Sequence, residues 1–501
     1  MRTLHSILLL IFIFAITTSA HAQHRGIIDE QTVDEQVQAA SAELIGTWQG
    51  LLGDTGLRIL FRFERTAGGA VRVLLSSPDE GTGIKPQSAF RLDGRSLHLE
   101  FDAVNVSFDG QVLPTGSALD GVLTVSTGKT FSLPMKRVDP GTIPYFLPRI
   151  KTNGDQEFEY NYQAPEQVEG DWPVGMLSPD SKPQLFGVLK QVLDQSLVGI
   201  ESVLVAKNGN LIVEEYFYGF DRDEAHQLRS VTKSVSSLIT GIALDRGLIP
   251  GVETPIAELF PEHAKEHEWS DRKRSMQLKH LLSMSCGLKG DDLRDQFAVA
   301  RATEASADWV EYALSLPMVA TPGEHFAYSG GSLMIVSGAV QRTVGMSVQE
   351  FAQKHLFGPL GIKEPQWYSS PKGIPNFSAG LRLTPRDLAK LGQLSLNKGR
   401  WQGKQIVSEE WLSESTRARF EVPSYGYSYG YLWWSTELHD ESGNSLDVFM
   451  ALGYGGQHIF VVPERSLVVV ITSGNYHLRT SKVGRQGIVM LSKFLDFAEA
   501  G

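Results

Sequence analysis

The spacing of apolar residues separates an alternating first part of the chain from a mixed second part. From about residue 40 to residue 138, short runs alternate apolar and polar positions, as in Leu57–Phe63, Val71–Leu75 and Ser96–Phe101. Such alternation places every second side chain on one face of a strand, and the Gly, Asp and Pro residues between the runs are typical of turns. The pattern predicts an antiparallel β domain over residues 40–138.

A stretch rich in proline and acidic residues, 139–174, follows this domain, and we interpret it as a linker. Residues 175–501 then mix both periodicities. Helical spacing predicts helices over Phe186–Leu197 and from Ser230 to about Val340, with two strands hinged at Asn208 between them. Four more strands and a last helix are predicted at Tyr429–Trp434, Val448–Leu452, His458–Val462, Leu467–Thr472 and Gly487–Phe497. Strands at both ends with helices between them indicate an α+β domain, whose sheet is assembled from its two ends around a helical insert.

The first residues have the pattern of a targeting segment. Arg2 precedes an apolar run over residues 7–16, and Ala20-His21-Ala22 has the small-x-small form of a cleavage site. We therefore predict a signal peptide over residues 1–22 and an exported protein, periplasmic or extracellular after cleavage near Ala22. The apolar run is too short to span a bilayer comfortably, so no stable membrane insertion is expected.

Composition narrows the classes of function. The chain has 501 residues, of which 42% are hydrophobic, and a formal net charge of −11. These values are typical of a globular protein, and the acidic balance gives no electrostatic support for nucleic-acid binding. One cysteine cannot form an internal disulfide, and the apolar neighbours of Cys286 predict a buried thiol.

No metal or cofactor is expected from the sequence. His263 and His267 are four residues apart, but the H-E-x-x-H pattern of metalloproteases is absent. The surrounding run is charged, and we interpret it as a solvated helix face. The sequence does not indicate the oligomeric state.

The strongest candidate for chemistry is Ser230, three residues before Lys233 at the start of an amphipathic helix. The pattern S-x-x-K occurs five times, at Ser126, Ser230, Ser270, Ser369 and Ser395. Only Ser230 is followed by apolar residues at helical spacing. Residues three apart share one helix face, so the amine can lie beside the hydroxyl and accept its proton. The helix N-terminus adds N–H groups suited to an oxyanion.

Two later segments supply candidate partners. Tyr328 lies in the turn-rich segment Pro322–Ser332, and its phenol could accept the Ser230 proton if the Lys233 ammonium lowered the phenol pKa. Gly453–Gln457 contains three glycines ahead of an apolar strand, which marks a place of close approach to the backbone. A substrate along that strand edge would be bound by main-chain groups, one of which could complete an oxyanion hole.

Together, these segments resemble the serine β-lactamase and penicillin-binding-protein superfamily, whose marks are S-x-x-K, Tyr-x-Asn or Ser-x-Asn, and K-T-G. The closest likeness is to the class C-like branch of esterases, D-aminopeptidases and 6-aminohexanoate-dimer hydrolases, over about residues 175–497. It implies an α/β sandwich with an antiparallel sheet and a helical insert. The leading all-β domain looks like the extra domain that accompanies some of these hydrolases.

The resemblance also implies roles for individual residues. Ser230 would be the acyl-accepting nucleophile, and Lys233 and Tyr328 would form the proton-transfer pair. Tyr454-Gly455-Gly456 stands in the place of K-T-G, and the oxyanion hole would consist of the backbone N–H groups of Ser230 and Gln457. The implied reaction is acyl transfer to water through an acyl-enzyme.

Two positions depart from the family pattern. Gly330 replaces the Asn of Tyr-x-Asn, and Tyr454 replaces the Lys of K-T-G. Both changes argue against an efficient β-lactamase and leave the Ser–Lys–Tyr group intact. We therefore expect an esterase, amidase or peptidase whose partner is a small-molecule ester or amide, or a peptide. The choice among these three activities stays open.

Two alternatives compete with this hypothesis. Gly426–Gly430 matches G-x-S-x-G, and Ser428 is followed by acids and histidines in the order of an α/β-hydrolase triad, namely Asp440, Asp447, His458 and His477. That motif requires a helix after the serine, whereas strand-like residues follow. The second alternative is a weakly active or inactive binding or sensor module of the cell envelope, against which the retained Ser230 and Lys233 argue.

Overall fold

The computed structural model describes most of the chain between residues 43 and 499. The described ranges are 43–52, 57–66, 68–77, 82–114, 116, 118–125, 130–138, 162–168, 171–193, 196–217, 220–295, 297–440, 442–475 and 480–499. The predicted signal peptide and most of the predicted linker lie outside the described residues. The chain divides into two compact units, Met1–Pro148 and Arg149–Gly501.

The first unit is an antiparallel sheet, as the alternation predicts. Its strands are β1 (Gly46–Leu52), β2 (Leu57–Arg65), β3 (Val71–Ser77), β4 (Thr82–Pro86), β5 (Ala89–Asp93), β6 (Ser96–Phe101), β7 (Val106–Val112), β8 (Ala118–Thr124), β9 (Thr130–Ser132) and β10 (Met135–Val138). They pair in the order β4-β3-β2-β1-β10-β8-β7-β6-β5, with β9 also paired to β8. On β6, Leu97, Leu99 and Phe101 are buried while Ser96 and Glu100 are exposed. The core of this unit is thus the inward face of one sheet.

The second unit contains both helices and strands, largely in separate runs. Its helices are α1 (Lys182–Leu193), α2 (Val231–Asp245), α3 (Ile256–Leu259), α4 (Pro261–Glu266), α5 (Asp271–Arg274), α6 (Leu278–Leu282), α7 (Ala298–Ala305), α8 (Trp309–Ser315), α9 (Leu333–Thr343), α10 (Val348–Ala352), α11 (Pro385–Leu396), α12 (Glu409–Thr416) and α13 (Thr480–Phe494). Its strands are β11 (Ile200–Lys207), β12 (Asn210–Tyr216), β13 (His226–Gln227), β14 (Gln366–Trp367), β15 (Leu381–Leu383), β16 (Arg400–Trp401), β17 (Lys404–Gln405), β18 (Phe420–Val422), β19 (Tyr427–Tyr429), β20 (Trp434–His439), β21 (Ser445–Gly453), β22 (Gln457–Val462) and β23 (Leu467–Ser473).

The main sheet of this unit joins strands from both ends of its sequence. The order is β12-β11-β23-β22-β21-β20-β19-β18, and every pair is antiparallel. A hairpin joins β11 to β12 through Asn208 and Gly209, both with positive φ (52° and 89°), as a tight two-residue turn requires. The prediction of an α+β fold with a sheet built from both ends is confirmed.

Helices cover both faces of this sheet. Gly392 of α11 lies against Ile459 and Val468, whereas Gly487 of α13 lies against His458. Because successive strand residues point to opposite faces, α11 and α13 lie on opposite faces of β22. α1 packs on α13, and α2 packs along β21 and β22. Two-sided cover explains why β22 and β23 are buried along their whole length.

The largest differences between the predicted and the observed bounds fall on three elements. α1 begins four residues before the predicted Phe186, because a 3₁₀ turn at Pro179–Ser181, capped by Ser178, leads into it. α13 covers Thr480–Phe494 rather than Gly487–Phe497. The strand predicted at Tyr429–Trp434 is wrong: β19 ends at Tyr429, and β20 begins at Trp434.

The turn between β19 and β20 has a tertiary cause. Leu432 has a left-handed φ of 65°, and its N–H donates to the Leu282 carbonyl (3.0 Å). The carbonyls of Leu432 and Tyr431 accept hydrogen bonds from Ser234 Oγ (2.7 Å) and Ser237 Oγ (2.8 Å) of α2. The apolar run is therefore pulled out of the sheet and onto the helix that follows Ser230.

In the described part of the chain, none of the helices combines the length and the apolar character needed to cross a membrane.

Candidate active site

Ser230 is the N-cap residue of α2 and has helical backbone angles (φ −70°, ψ −6°). The residue before it, Arg229, has a positive φ of 50°, so the chain turns sharply into the helix at this point. The turn after β21 lies directly against this bend, because a side chain on Gly453 would overlap the Leu228 carbonyl. The helix start and the glycine turn are thus neighbours in space, as the sequence predicts.

Lys233 lies one turn along α2 and is almost completely buried. Its Nζ donates to Ser230 Oγ at 2.9 Å, to the Ser378 carbonyl at 2.9 Å and to Ser378 Oγ at 2.8 Å. Burial lowers the pKa of Lys233 to about 8, although the charges of Asp292 and Glu304 act in the opposite direction. The amine is therefore much easier to deprotonate than an exposed lysine.

Tyr328 lies on the other side of the same amine. Lys233 Nζ is 4.8 Å from the centroid of the Tyr328 ring, and the Tyr328 hydroxyl is hydrogen-bonded to Ser230. The condition under which this phenol could accept the Ser230 proton, a pKa lowered by a nearby lysine, is not met: burial raises the Tyr328 pKa, and the hydrogen bond to Ser230 offsets this only in part. The ring is packed against Trp434 (centroids 5.7 Å apart) and Tyr429 (5.9 Å), which accounts for the burial.

Gly330 lies where the family pattern has an asparagine. Its N–H donates to Asp292 Oδ2 at 2.6 Å. A Cβ at this position would overlap both Ser378 Oγ and Asp292 Oδ2. Burial raises the pKa of Asp292 to about 6, against the opposing influence of Lys233. The space of a side chain at position 330 is therefore already filled.

Ser378 is held by a short chain of hydrogen bonds. Asn376 Oδ1 accepts from the N–H groups of Ser378 (2.8 Å) and Ala379 (3.0 Å). Asn376 Nδ2 donates to Glu304 Oε1 at 2.8 Å, and burial raises the pKa of Glu304 to about 7. The sequence interpretation missed all of these groups. They lie in segments without a recognisable motif, and only the fold brings them to Lys233.

The glycine-rich turn Gly453–Gln457 links β21 to β22. Gly455 and Gly456 have positive φ values of 87° and 99°, which explains why glycine stands at both positions. The Asn475 N–H donates to the Gly455 carbonyl at 2.9 Å, and the buried Gln457 side chain donates to the Ser473 carbonyl. The turn is thus pinned to the end of β23.

Tyr454 projects from this turn beside two other groups. Its ring lies 6.4 Å from that of Phe297, centroid to centroid. Arg229 is close enough to lower the pKa of both Tyr454 and Glu304, although burial raises the pKa of each. A guanidinium next to Ser230 therefore supplies positive charge on the side where Tyr454 has replaced a lysine.

Ser428 does not form a nucleophile elbow. It lies within β19, between two antiparallel neighbours, and its Oγ donates to Glu421 Oε1 of β18 at 2.9 Å. Another strand, β20, follows it where an elbow requires a helix. His458 is buried on the α13 face of the sheet, and burial lowers its pKa to about 4. The α/β-hydrolase alternative is contradicted by this geometry.

Among the described residues, one group of His, Cys, Asp or Glu has ligand atoms near enough to share a metal ion: His263, His267 and Glu311. Glu311 lies 2.6 Å from His263 Nδ1 and 3.1 Å from His267 Nε2, and these contacts link α4 to α8. His267 is exposed, as the prediction of a solvated face requires, whereas the His263 side chain is only partly exposed because it packs between α4 and α8. The three residues lie on other elements than Ser230 and Lys233.

Comparison with known proteins agrees with the fold. The Beta-lactamase family model matches residues 188–486, more than half of the chain. The 6-aminohexanoate-dimer hydrolase of Paenarthrobacter ureafaciens is 25% identical over 305 residues, covering 56% of this chain and 74% of that protein. Lovastatin esterase of Penicillium rubens is 28% identical over 194 residues, covering 35% and 48%.

A solved structure shows the same architecture. That of a proposed 6-aminohexanoate-dimer hydrolase from Bacillus anthracis has a TM-score of 0.53 at 22% identity, covering 65% of this chain and 88% of that one. The chain belongs to the β-lactamase family, in a branch whose relatives include hydrolases and esterases. The predicted membership of the serine β-lactamase and penicillin-binding-protein superfamily is confirmed.

Proposed function

We propose that the protein is an exported serine hydrolase that cleaves ester or amide bonds of small molecules or peptides through an acyl-enzyme on Ser230. The observation that carries this proposal is the contact between the buried Lys233 amine and Ser230 Oγ at 2.9 Å. A hydroxyl beside an amine whose pKa is lowered to about 8 has a proton acceptor available near neutral pH.

In the first half of the reaction, Ser230 Oγ attacks the carbonyl carbon of the substrate while neutral Lys233 takes the hydroxyl proton. The carbonyl double bond opens, and its oxygen becomes an oxyanion that accepts hydrogen bonds from the backbone N–H groups of Ser230 and Gln457. The intermediate then expels the alcohol or amine. The leaving atom receives the proton held by Lys233, directly or through the Tyr328 hydroxyl, and the acyl group stays on Ser230.

The second half reverses these roles with water. Water attacks the acyl-enzyme carbonyl and gives a proton to neutral Lys233. The second intermediate expels Ser230 Oγ, which recovers that proton, and the acid product leaves. Tyr328 acts in both halves as a neutral phenol, because burial raises its pKa. Lys233 is therefore assigned as the base and Tyr328 as the relay.

The surroundings of Ser230 support an esterase or amidase over a β-lactamase. Position 330 has no side chain that could contact the substrate, and at position 454 a neutral phenol replaces the lysine ammonium, which leaves the Arg229 guanidinium as the positive charge on that side. The relatives named as 6-aminohexanoate-dimer hydrolase and lovastatin esterase support an amide or ester substrate in the same way. Export is part of the proposal and rests on the pattern of residues 1–22; N-terminal sequencing of the mature protein tests it, with Gln23 expected as the first residue.

A fluorophosphonate probe tests the serine mechanism. We expect stoichiometric labelling that maps to Ser230, together with turnover in a panel of short-chain aryl esters, linear amides, D-amino peptides and a chromogenic cephalosporin. The esters or amides should be the best substrates and the cephalosporin the poorest. Failure to label the native protein, under conditions that label a known serine hydrolase, would favour the binding-module alternative.

A further inference from the structure

We propose that Ser378 is the positioning residue of Lys233, and that its hydroxyl takes the place of an asparagine side chain at position 330. This inference rests on the proposed role of Ser230 and Lys233. It assigns a function to a residue that lies outside the three motifs of the site and 48 positions after Gly330 in the chain.

Ser378 provides two of the three hydrogen-bond acceptors around Lys233 Nζ, its hydroxyl and its own carbonyl. Ser230 Oγ is the third, at 2.9 Å. Three acceptors match the three donors of an ammonium group, so the amine is directed at Ser230 by two contacts to one residue. A lysine side chain has high rotamer entropy, and without such contacts the amine would sample several positions.

The position of the hydroxyl explains the glycine at 330. A Cβ built on Gly330 would lie 2.4 Å from Ser378 Oγ. Standard bond lengths set the same separation, about 2.4 Å, between Cβ and Oδ1 within an asparagine. An asparagine at 330 can therefore direct its amide oxygen to the point where Ser378 Oγ now lies, provided that the Asp292 carboxylate, whose Oδ2 is 2.9 Å from the same Cβ, shifts away from it. The two side chains exclude each other, and either one presents an oxygen at that point.

The surrounding structure holds Ser378 in place. Its backbone N–H is fixed by Asn376, which in turn donates to Glu304. Ser378 follows Phe377, whose carbonyl accepts from Ser236 Oγ of α2 at 3.1 Å. The segment is thus tied to the same helix that carries Ser230 and Lys233. Movement of Ser378 relative to the amine is restrained from both sides.

Exchange of the two positions tests the proposal. Ser378→Ala keeps the carbonyl contact and removes the hydroxyl, so we expect the rate constant of Ser230 labelling to fall on the order of 10- to 100-fold, the range for one hydrogen bond to a charged group. Gly330→Asn alone should also be impaired, because both side chains compete for one space. The double variant Gly330→Asn/Ser378→Gly should recover most of the rate, and Ser378→Thr, which keeps a hydroxyl, should retain it.

The pH profile separates positioning from a structural effect. The titratable groups that act on Lys233 are Asp292, Glu304 and Tyr328. Ser378 Oγ accepts from the charged ammonium, so its loss should lower the Lys233 pKa and move the rising limb of the labelling rate to lower pH. Glu304→Gln, which keeps the hydrogen bond to Asn376, identifies any part of that limb that belongs to Glu304.

A Ser378→Ala enzyme whose labelling rate has the same rising limb and the same plateau as the wild type would overturn the proposal. A double variant no faster than the slower of the two single variants would overturn it too. Absence of labelling in the wild type would instead reject the proposed function.

Discussion

The two large sheets of the protein differ in how many of their faces are covered. In the first unit, strands such as β6 alternate buried and exposed residues, so one face of the sheet is in contact with solvent. In the second unit, every residue of β22 and β23 is buried, because helices pack on both faces. The core of the first unit therefore lies on one face of its sheet. The main sheet of the second unit instead lies in the middle of its core.

This difference determines where ionisable groups can be buried. In the first unit, the ionisable contacts that we describe lie near solvent, as in the His98 contacts with Asp109 and Glu100. In the second unit, Lys233, Asp292, Lys390 and Arg386 are nearly completely buried. Such groups need a core thick enough to surround them and partners to satisfy them. The lowered pKa of Lys233 is thus a consequence of its burial between α2 and the segments that carry Tyr328 and Ser378.

The largest effect is expected where the comparison is sharpest, at the serine beside the buried amine. Ser230→Ala removes the atom that is acylated, so turnover should fall by about 10⁴-fold or more. Ser428→Ala removes a hydroxyl that donates to Glu421 of the edge strand β18, and activity should stay within about twofold. Steady-state kinetics on the best ester of the panel measures both. Loss of activity in Ser428→Ala and not in Ser230→Ala would reverse the assignment.

In the first unit, the largest change should be one of stability. Trp48 is fully buried, and its Nε1 donates to the Leu44 carbonyl at 2.8 Å. Trp48→Ala should lower the free energy of unfolding of this unit by about 3–5 kcal/mol, the usual cost of such a truncation. Leu51→Ala on the same strand is the matched control. Its side chain is 53% exposed, so the change should stay within about 0.5 kcal/mol.

Denaturant unfolding followed by circular dichroism measures these two variants. Equal destabilisation by Trp48→Ala and Leu51→Ala would show that the sheet has no preferred inner face, and the contrast between the two units would then fail.

The pH dependence of acylation should follow the buried lysine. Burial lowers the Lys233 pKa from 10.5 to about 8, and only the neutral amine accepts the Ser230 proton. The labelling rate should therefore rise about tenfold per pH unit below pH 8 and level off above it. A profile that keeps rising to pH 10 would mean that Lys233 has an ordinary pKa. Labelling reactions quenched at successive times, at a series of pH values, measure this rate, with Ser428→Ala as the control.

The smallest effect is expected where the two units are alike, at exposed ion pairs. Lys398 Nζ lies 2.7 Å from Glu409 Oε1, and the side chains are 70% and 61% exposed. A double-mutant cycle of Lys398→Ala and Glu409→Ala should give a coupling below about 1 kcal/mol, since water screens such pairs. Thermal unfolding of the four proteins measures it. A coupling of several kcal/mol would show that burial is not what distinguishes strong from weak pairs here.

The sequence predicted those elements whose pattern depends on neighbouring residues. Alternation predicted β6 with its bounds, and continuous apolar runs predicted β22 and β23 to within a residue. The helix after Ser230 ends at Asp245, two residues before Gly247, whose left-handed φ of 67° is typical of a glycine that follows a helix C-terminus. The run Tyr429–Trp434 has the composition of a strand, but hydrogen bonds from α2 bend it into a turn. Local pattern carries no information about such distant partners.

The candidate site shows the same division. Ser230 and Lys233 are three residues apart, so helix geometry alone brings their side chains together, and the resemblance added Tyr328 and the glycine turn. Ser378, Asp292 and Glu304 were not predicted. Each is a common polar residue in a segment without a motif. Ser378 contacts Lys233, and the charges of Asp292 and Glu304 act on it, only because distant parts of the chain pack around α2.

By itself, the sequence determined the family, the division into an all-β unit and an α+β unit, and the pairing of Ser230 with Lys233. These depend on motifs, on the periodicity of apolar residues and on spacing within one helix. The tertiary structure alone decided which groups surround the amine, how far burial lowers its pKa, and why position 330 has no room for a side chain. The physical reason is that pKa values and excluded volume depend on all atoms within a few ångströms, whatever their distance along the chain.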